Sequence, residues 1–344
     1  MGAYYDGTKL LSMRDLDGNE PELYICTTNR NGGKTTYFNR LVVNRYLKSG
    51  RKFGLIFRYK YELDNCANTF FNTVQELFFP EHQMKSRRQA DGIYHELLLD
   101  GKVCGYAVAI NAAEGLKKVS HLLSDIDSMI FDEFQSESGN YCPNEINKFQ
   151  SLHTSIARGH GKQVRRVPVY MLSNFVSLLN PYYTTLGISD RLQSNTKFLR
   201  GHGWVLEAGH VESAAEALKS SGFNRAFAGG DYVQYSTENV YLNDATAFVE
   251  RINGRGRYIA TIKYEDSFFS IKEYPDQGVI YCDDSYDPTF PRRIALTTAD
   301  HQLNYVMLAN NSFLITRWRE LFTAGAFRFK SLRCKEAIIK ALSI

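Results

Sequence analysis

The sequence contains no Cys-x-x-Cys pair: its six cysteines are scattered at positions 26, 66, 104, 142, 282 and 334. That spacing argues against a zinc site and against a disulfide framework, and it fits a reducing cytosol. No apolar run approaches the roughly 18 residues of a membrane span and no signal-peptide pattern is present, so no membrane partner is expected. Internal repeats and low-complexity tracts are also missing. Two short patterns fail on closer reading. Met1-Gly2 opens like a myristoylation signal, but Asp6 stands where Ser or Thr is required. Asp15, Asp17 and Gly18 resemble a calcium loop, but the Gly falls two places early and the twelfth position is Cys26. A surface turn is the simpler reading.

What is present suits a chain of more than one domain. There are 344 residues, 44% apolar and 13% aromatic, which supports real cores. The net charge of +4 lies entirely in residues 251–344, which hold 14 Lys and Arg against 10 Asp and Glu. A mild basic bias at that end suits a polyanion without establishing one.

The organising stretch is Thr28-Asn29-Arg30-Asn31-Gly32-Gly33-Lys34-Thr35-Thr36. A strand-like run precedes it (22–26), and a segment with apolar residues at helical spacing (38, 41, 42, 46) follows. Strand, Gly-containing loop ending in Gly-Lys-Thr, then helix is the layout of a phosphate-binding loop, with backbone N–H groups and the helix N-terminus facing an anion. Lys34 would reach the β- and γ-phosphates of ATP, and Thr35 would ligate Mg²⁺. The usual first Gly is replaced by Thr28, which cannot take φ > 0 cheaply; Asn29, Asn31, Gly32 and Gly33 can.

Residues 52–57 read as a buried strand with Arg58 to Lys60 at its ligand-binding end, and a helix follows to about 79. Asp100-Gly101 joins two apolar runs as a hairpin. Lys117 and Lys118 sit on a helix whose plain reading is a solvated face. Residues 126–131 form a short strand ending in Asp132-Glu133. The first carboxylate is placed to hold Mg²⁺ and the second to activate water, help typically worth ~10²–10⁴-fold. A helix at 144–158, with Pro143 in its first turn, ends at Arg158 and a Gly159–Gly161 tip; Arg165 and Arg166 follow. A strand at 167–172 delivers Ser173 and Asn174, the latter placed to sense a γ-phosphate or to cap a turn. Residues 197–208 read as one more strand. The first 20 residues read as an irregular arm, in which Tyr4 and Tyr5 are able to stack on a base, a weak signal among 22 Tyr. Residues 211–244 read as an Ala- and Ser-rich connector. The tail gives three meandering strands (258–264, 267–274, 279–283), then helix, strand and helix, the order of an RNase H-like nuclease. Asp283 and Asp284 end the third strand, but the first strand holds no carboxylate for a second metal ligand.

Arg58-Tyr-Lys-x-Glu-Leu63, Asp100-Gly-Lys102, Asp132-Glu-Phe134, Asn140-Tyr-x-Pro-Asn-Glu145, Leu172-Ser-Asn174, Asn180-Pro-Tyr182 and Leu296-Thr-Thr-x-Asp300 occur in one order along most of the chain. In this the chain resembles the genome-packaging ATPases of small short-tailed phages with protein-primed linear genomes. The resemblance implies an α/β fold in three parts. These are an additional-strand (ASCE) P-loop ATPase domain (1–208), a small linker domain (209–247) and a C-terminal α+β RNase H-like, vestigial nuclease domain (248–344). It implies ATP hydrolysis that drives double-stranded DNA into an empty capsid, by a homomeric ring, usually a pentamer, on the portal vertex in the host cytoplasm. Some relatives also dock on a structural RNA. By position it makes Lys34, Thr35 and Asp132 the phosphate and Mg²⁺ residues and Glu133 catalytic. Asn174, with Arg58, would couple hydrolysis to motion, and Arg158 would be an arginine finger reaching a neighbour, with Arg165 and Arg166 as alternatives. The rival readings are a terminase-like protein with an active metal-dependent nuclease, and a nucleotide-switched nucleic-acid-binding scaffold.

Overall fold

The computed structural model describes residues 4–158, 163–189, 191–192, 196–227, 231–237, 241, 244, 247–265 and 267–343, leaving aside the side chains of 66, 68–73, 231, 232 and 234. The expected Gly159–Gly161 tip and the Gly229 and Gly230 of the connector lie outside these residues. The chain divides into two compact units, Met1–Asn243 and Asp244–Ile344.

The first unit opens with α1 (Thr8–Ser12), where the sequence suggests only an irregular arm; Leu10 anchors it in the core. Then come β1 (Leu23–Thr27), α2 (Lys34–Ser49), β2 (Lys52–Phe57), α3 (Lys60–Phe78), β3 (Met84–Gln89), β4 (Tyr94–Leu99) and β5 (Lys102–Ala109). They are followed by α4 (Ala113–Val119), β6 (Ile126–Asp132), α5 (Glu145–Ile156), β7 (Val169–Ser173), α6 (Pro181–Thr185), β8 (Phe198–Gly201) and β9 (Trp204–Ala208). Short helices α7 (Glu212–Ser220), α8 (Gly222–Ala226) and α9 (Asp231–Thr237) complete the unit.

Among the described residues its sheet has nine strands in the order β3-β4-β5-β2-β6-β7-β1-β9-β8. The strands from β5 to β9 pair in parallel, and antiparallel hairpins finish both edges. Successive side chains of a strand point to opposite faces, and this splits the apolar residues between two cores. Tyr24 and Cys26 of β1, Phe53 and Leu55 of β2, and Tyr170 and Leu172 of β7 join Phe38, Val42 and Val43 of α2 and Leu63 of α3. Ile25, Ile56, Val169 and Met171 face the other way, with Leu116 of α4, Phe149, Leu152 and Ile156 of α5, and Tyr182 of α6. A sheet covered on both faces explains the nearly continuous apolar runs of its central strands.

Three local expectations change. Residues 197–208 form two antiparallel strands, because Gly203 takes φ 76° and turns the chain. Strand β3 was hidden by its composition, MKSRRQ; as an edge strand it leaves Lys85, Arg87 and Arg88 in solvent. Helix α5 begins after Asn144, which takes φ 55°, so Pro143 lies outside the first turn.

The second unit holds β10 (Arg257–Tyr264), β11 (Ser267–Tyr274), β12 (Val279–Asp283), β13 (Arg293–Ala295), β14 (Val306–Met307), α10 (Ser312–Thr323), β15 (Phe327–Phe329) and α11 (Leu332–Leu342). The strand order is β14-β13-β10-β11-β12-β15 among the described residues. The meander followed by helix, strand and helix is as expected, and its core joins both helices to one face through Leu314, Ile315, Trp318, Ala337 and Ile338.

Candidate active site

Strand β1 runs into the loop with Thr27, whose hydroxyl lies 2.6 Å from that of Tyr183. The Thr28 N–H donates to the Ser173 carbonyl at 3.2 Å, and its side chain is fully buried. The left-handed geometry that Thr28 could not supply is taken instead by Asn31 (φ 59°) and Gly33 (φ 90°). Gly32 is needed for space: a Cβ there would lie 2.8 Å from a Val211 methyl. The Asn29 side chain turns away from the cavity, accepting from the Val211 N–H at 2.8 Å and donating to its carbonyl at 3.1 Å. The loop is thus fixed from behind, and α2 starts at Lys34 with its N-terminus open to an anion.

Strand β7 lies between β1 and β6. Because all three are parallel, Lys34, Asp132 and Asn174 meet at the carboxyl ends of these central strands. The Lys34 ammonium donates to Asn174 Oδ1 at 2.6 Å. Burial pulls Lys34 below its ordinary pKa, and the charge of Asp132 opposes that. Burial likewise pushes Asp132 up, against Lys34 and a hydrogen bond from Thr35. A hydroxyl and a carboxylate are hard oxygen donors, the pair that Mg²⁺ takes alongside phosphate oxygens and water. Among the described residues no cluster of three or more His, Cys, Asp or Glu side chains is placed to hold a metal ion.

Glu133 follows with φ 54°, a left-handed conformation unusual for Glu. Its N–H donates to Asp132 Oδ1 at 3.0 Å. Burial first, then the charges of Asp132 and Glu137, raise its carboxyl above the ordinary value. Its backbone is braced by Arg58, whose guanidinium donates to the Glu133 carbonyl at 3.3 Å and to the Phe134 carbonyl at 2.7 Å. Arg58 Nε also donates to both oxygens of Glu145 at 3.1 Å. Glu145 in turn accepts from the Tyr182 hydroxyl at 2.8 Å and the Cys142 N–H at 2.7 Å. Four of the motifs noted in the sequence therefore meet in one buried network behind Glu133. The Asp300 motif is separate: its carboxylate accepts from the Thr297 N–H and hydroxyl and closes a turn.

A cavity of about 770 Å³ opens over the loop. It is lined by Tyr4, Tyr5, every residue from Arg30 to Tyr37, Arg40, Leu77, Phe78, Glu133 and Asn174. Sequence reasoning did not single out Arg40, Leu77 and Phe78, which carry no motif. It also missed Glu137 and Tyr235. Arg30 donates to Glu137, the Tyr235 hydroxyl donates to the same carboxylate oxygen at 2.7 Å, and the Arg30 guanidinium sits 5.6 Å from the Tyr235 ring centre. Arg158 does not line the cavity; it is exposed just past α5. Among the described residues it has no hydrogen-bond or ion-pair partner. Arg165 and Arg166 are engaged within the chain, Arg165 with the Ile156 carbonyl and Arg166 with the Pro21 carbonyl and Glu20. Lys117 and Lys118 are exposed in the last turn of α4, as a solvated face requires.

In the second unit Asp283 receives Lys272 at 2.8 Å and Lys330 at 3.1 Å, and Lys330 also binds Asp284. Burial alone would raise the Asp283 pKa, but Lys272, Ser285 and Lys330 override it and hold the carboxyl well below the ordinary range. Two ammonium groups thus occupy the carboxylate pair that a nuclease would give to metal ions. Facing it across the sheet, β10 carries no Asp or Glu in its interior and buries Lys263.

The family model for the podovirus DNA encapsidation protein (Gp16) matches residues 2–342. The DNA packaging protein of Bacillus phage phi29 is 27% identical over 332 residues, covering 95% of this chain and 93% of that protein. Among solved structures, the bacteriophage phi29 viral genome packaging motor assembly aligns over 98% of this chain and 99% of that one, with a TM-score of 0.72 and 24% identity. The phi28 gp11 DNA packaging motor aligns over 100% and 99%, with a TM-score of 0.61 and 16% identity. Both share the fold described above. With nearly its whole length matched, the chain belongs to the podovirus DNA encapsidation protein (Gp16) family.

Proposed function

We propose that this member of the encapsidation family is an ATP-hydrolysing motor that drives double-stranded DNA into an empty capsid through the portal. The observation that carries the reading is the convergence of Lys34, Thr35, Asp132, Glu133 and Asn174 at the carboxyl ends of the central parallel strands, beside a cavity large enough for a nucleotide. The loop N–H groups and Lys34 would hold the triphosphate, and Thr35 and Asp132 would hold Mg²⁺, which when bound offsets charge on the β- and γ-phosphates. Glu133 would orient water and accept its proton. Its raised pKa makes it a better base than a carboxylate at the ordinary value, and its braced backbone fixes where it points. Asn174, bonded to Lys34 at 2.6 Å, is placed to exchange that partner for a phosphate and pass the change to β7.

The strand inserted between β1 and β6 supports assignment to the additional-strand class of P-loop ATPases. We assign 1–208 as the motor domain, 209–247 as the linker and 248–344 as an RNase H-like domain without nuclease activity. The lysines on Asp283 and Asp284 support the last assignment, and the basic bias of this end suits sequence-blind contact with phosphates. Arg158, exposed and without a hydrogen-bond or ion-pair partner among the described residues, is the residue we assign as the finger that completes a neighbour's site. That requires a homomeric ring. Its five-fold order, its seat on the portal vertex in the host cytoplasm and a structural RNA as a further partner rest on the family alone.

The test is ATP-dependent protection of double-stranded DNA from added nuclease when the purified chain is mixed with empty capsids. Protection with ATP, and none with Glu133→Gln, is the expected result. Equal protection by ADP, or by Glu133→Gln with ATP, would overturn the motor reading in favour of a nucleotide-switched scaffold.

A further inference from the structure

Phosphate binding does not account for the whole lining of the cavity. Tyr4, Arg40, Leu77 and Phe78 also line it, and together they carry aromatic, aliphatic and cationic surface but no carboxylate. Tyr4 is 78% exposed and Leu77 62% exposed. Exposed side chains of this kind, gathered beside a polar loop, offer a surface that a flat apolar face can cover.

The position of Tyr4 is fixed by its neighbour. The Tyr5 N–H donates to the Gly32 carbonyl at 2.8 Å, and its hydroxyl donates to Glu207 at 2.6 Å. The Tyr5 ring packs edge-on against Tyr37 at 5.6 Å and tilted against Phe38 at 6.1 Å. The arm is thereby tied to the loop, and the Tyr4 ring lies against it: a Cβ built on Gly33 would be 3.3 Å from Tyr4 Cδ1. On α2, less than two turns beyond Lys34, the Arg40 guanidinium sits over the Phe78 ring with its carbon 4.8 Å from the ring centre. This cation–π contact holds the guanidinium at the cavity wall. Aromatic rings and guanidinium groups both stack on nucleobases.

We propose that Tyr4 and the Arg40–Phe78 pair form the nucleobase subsite of the ATP site, binding the base by stacking. This rests on the nucleotide reading of the loop given above. It makes the N-terminal arm part of the binding site, with Tyr5 as the residue that positions it. It also separates the tasks: the loop holds the triphosphate, and the arm, α2 and α3 hold the base.

The test is calorimetric titration of the full chain with Mg·ATP and, separately, with inorganic Mg·tripolyphosphate, which has phosphates and no base. Wild type should bind ATP more tightly than tripolyphosphate. Tyr4→Ala and Arg40→Ala should each weaken ATP about tenfold, the order of a lost base stack, and leave tripolyphosphate unchanged. Tyr4→Phe should keep the affinity for ATP. Both side chains are exposed, so neither change threatens the fold. Unchanged ATP affinity in both variants would overturn the subsite. Equal weakening of ATP and tripolyphosphate would also overturn it, by placing these residues on the phosphates. A wild type that binds neither ligand would overturn the nucleotide reading itself, a distinguishable failure.

Discussion

Replacing Arg58 by Met should separate stability from catalysis. Arg58 and Glu145 expose only 8% and 2% of their side chains. Removing the guanidinium leaves the Glu145 carboxylate buried with two neutral donors, the Tyr182 hydroxyl and the Cys142 N–H. Breaking a buried pair in this way costs about 3–5 kcal/mol. Removing both charges together is often nearly neutral, so Arg58→Met with Glu145→Leu should recover much of the loss. Recovery should be incomplete, because the Glu133 and Phe134 carbonyls still lose their donor, at about 1–3 kcal/mol for each buried group left unpaired. Activity should not recover at all. The brace on the φ 54° backbone of Glu133 is absent in both variants, and a catalytic group misplaced by about 1 Å can cost on the order of 10²-fold in rate. The chain has two Trp, one in each unit. Urea titration followed by Trp204 fluorescence in a Trp318→Phe background therefore reports on the first unit. ATP turnover on the same samples gives kcat. A double variant no more stable than Arg58→Met would refute the buried-pair argument. A double variant that regains wild-type kcat would refute the brace.

Three further predictions use the same sites. Since the Glu133 carboxyl is raised by burial and by Asp132 and Glu137, kcat should fall with decreasing pH along a limb centred above the ordinary Glu value of about 4.3; a limb at or below that value would contradict the assignment of Glu133 as base. Mixing Arg158→Ala with Lys34→Ala subunits should partly restore ATP hydrolysis, because some mixed interfaces then hold an intact finger facing an intact loop; no recovery at any ratio would exclude Arg158 as a finger acting between subunits. Asp283, buried but held low by Lys272, Ser285 and Lys330, stabilises the second unit fully above its unfolded pKa of about 3.9, and that stability is lost as pH falls toward the folded value. Asp283→Asn should therefore destabilise at pH 7, with the gap to wild type narrowing below about pH 4 in fluorescence of Trp318, and a gap independent of pH would contradict the pairing.

The parallel core of the first unit was legible because its strands are buried on both faces and its candidate site residues fall at strand ends, where Gly-Lys-Thr, Asp-Glu and Ser-Asn are conspicuous. Other parts left less trace. Apart from Met84, strand β3 is built of Lys, Ser, Arg and Gln, and only pairing with β4 makes it a strand. Helix α1 has five residues, too few for periodicity to register. The consequence of Thr28 could be framed but not decided from sequence; the structure shows Asn31 and Gly33 taking the left-handed positions while Asn29 serves as a clamp on Val211. The links among Arg30, Glu137 and Tyr235, and between Arg40 and Phe78, join residues distant in the chain through side chains that belong to no pattern. The nuclease-like order of the tail was readable, but the ammonium partners of Asp283 were not, since Lys272 and Lys330 reach it from two other strands or their ends.

The most direct test of the account is steady-state ATP hydrolysis by the full chain, with and without double-stranded DNA and empty capsids, next to Glu133→Gln. The account predicts hydrolysis that rises with DNA and is abolished in Glu133→Gln while ATP binding is retained. Hydrolysis that persists in Glu133→Gln, or none by the wild type with DNA and capsids both present, would contradict it.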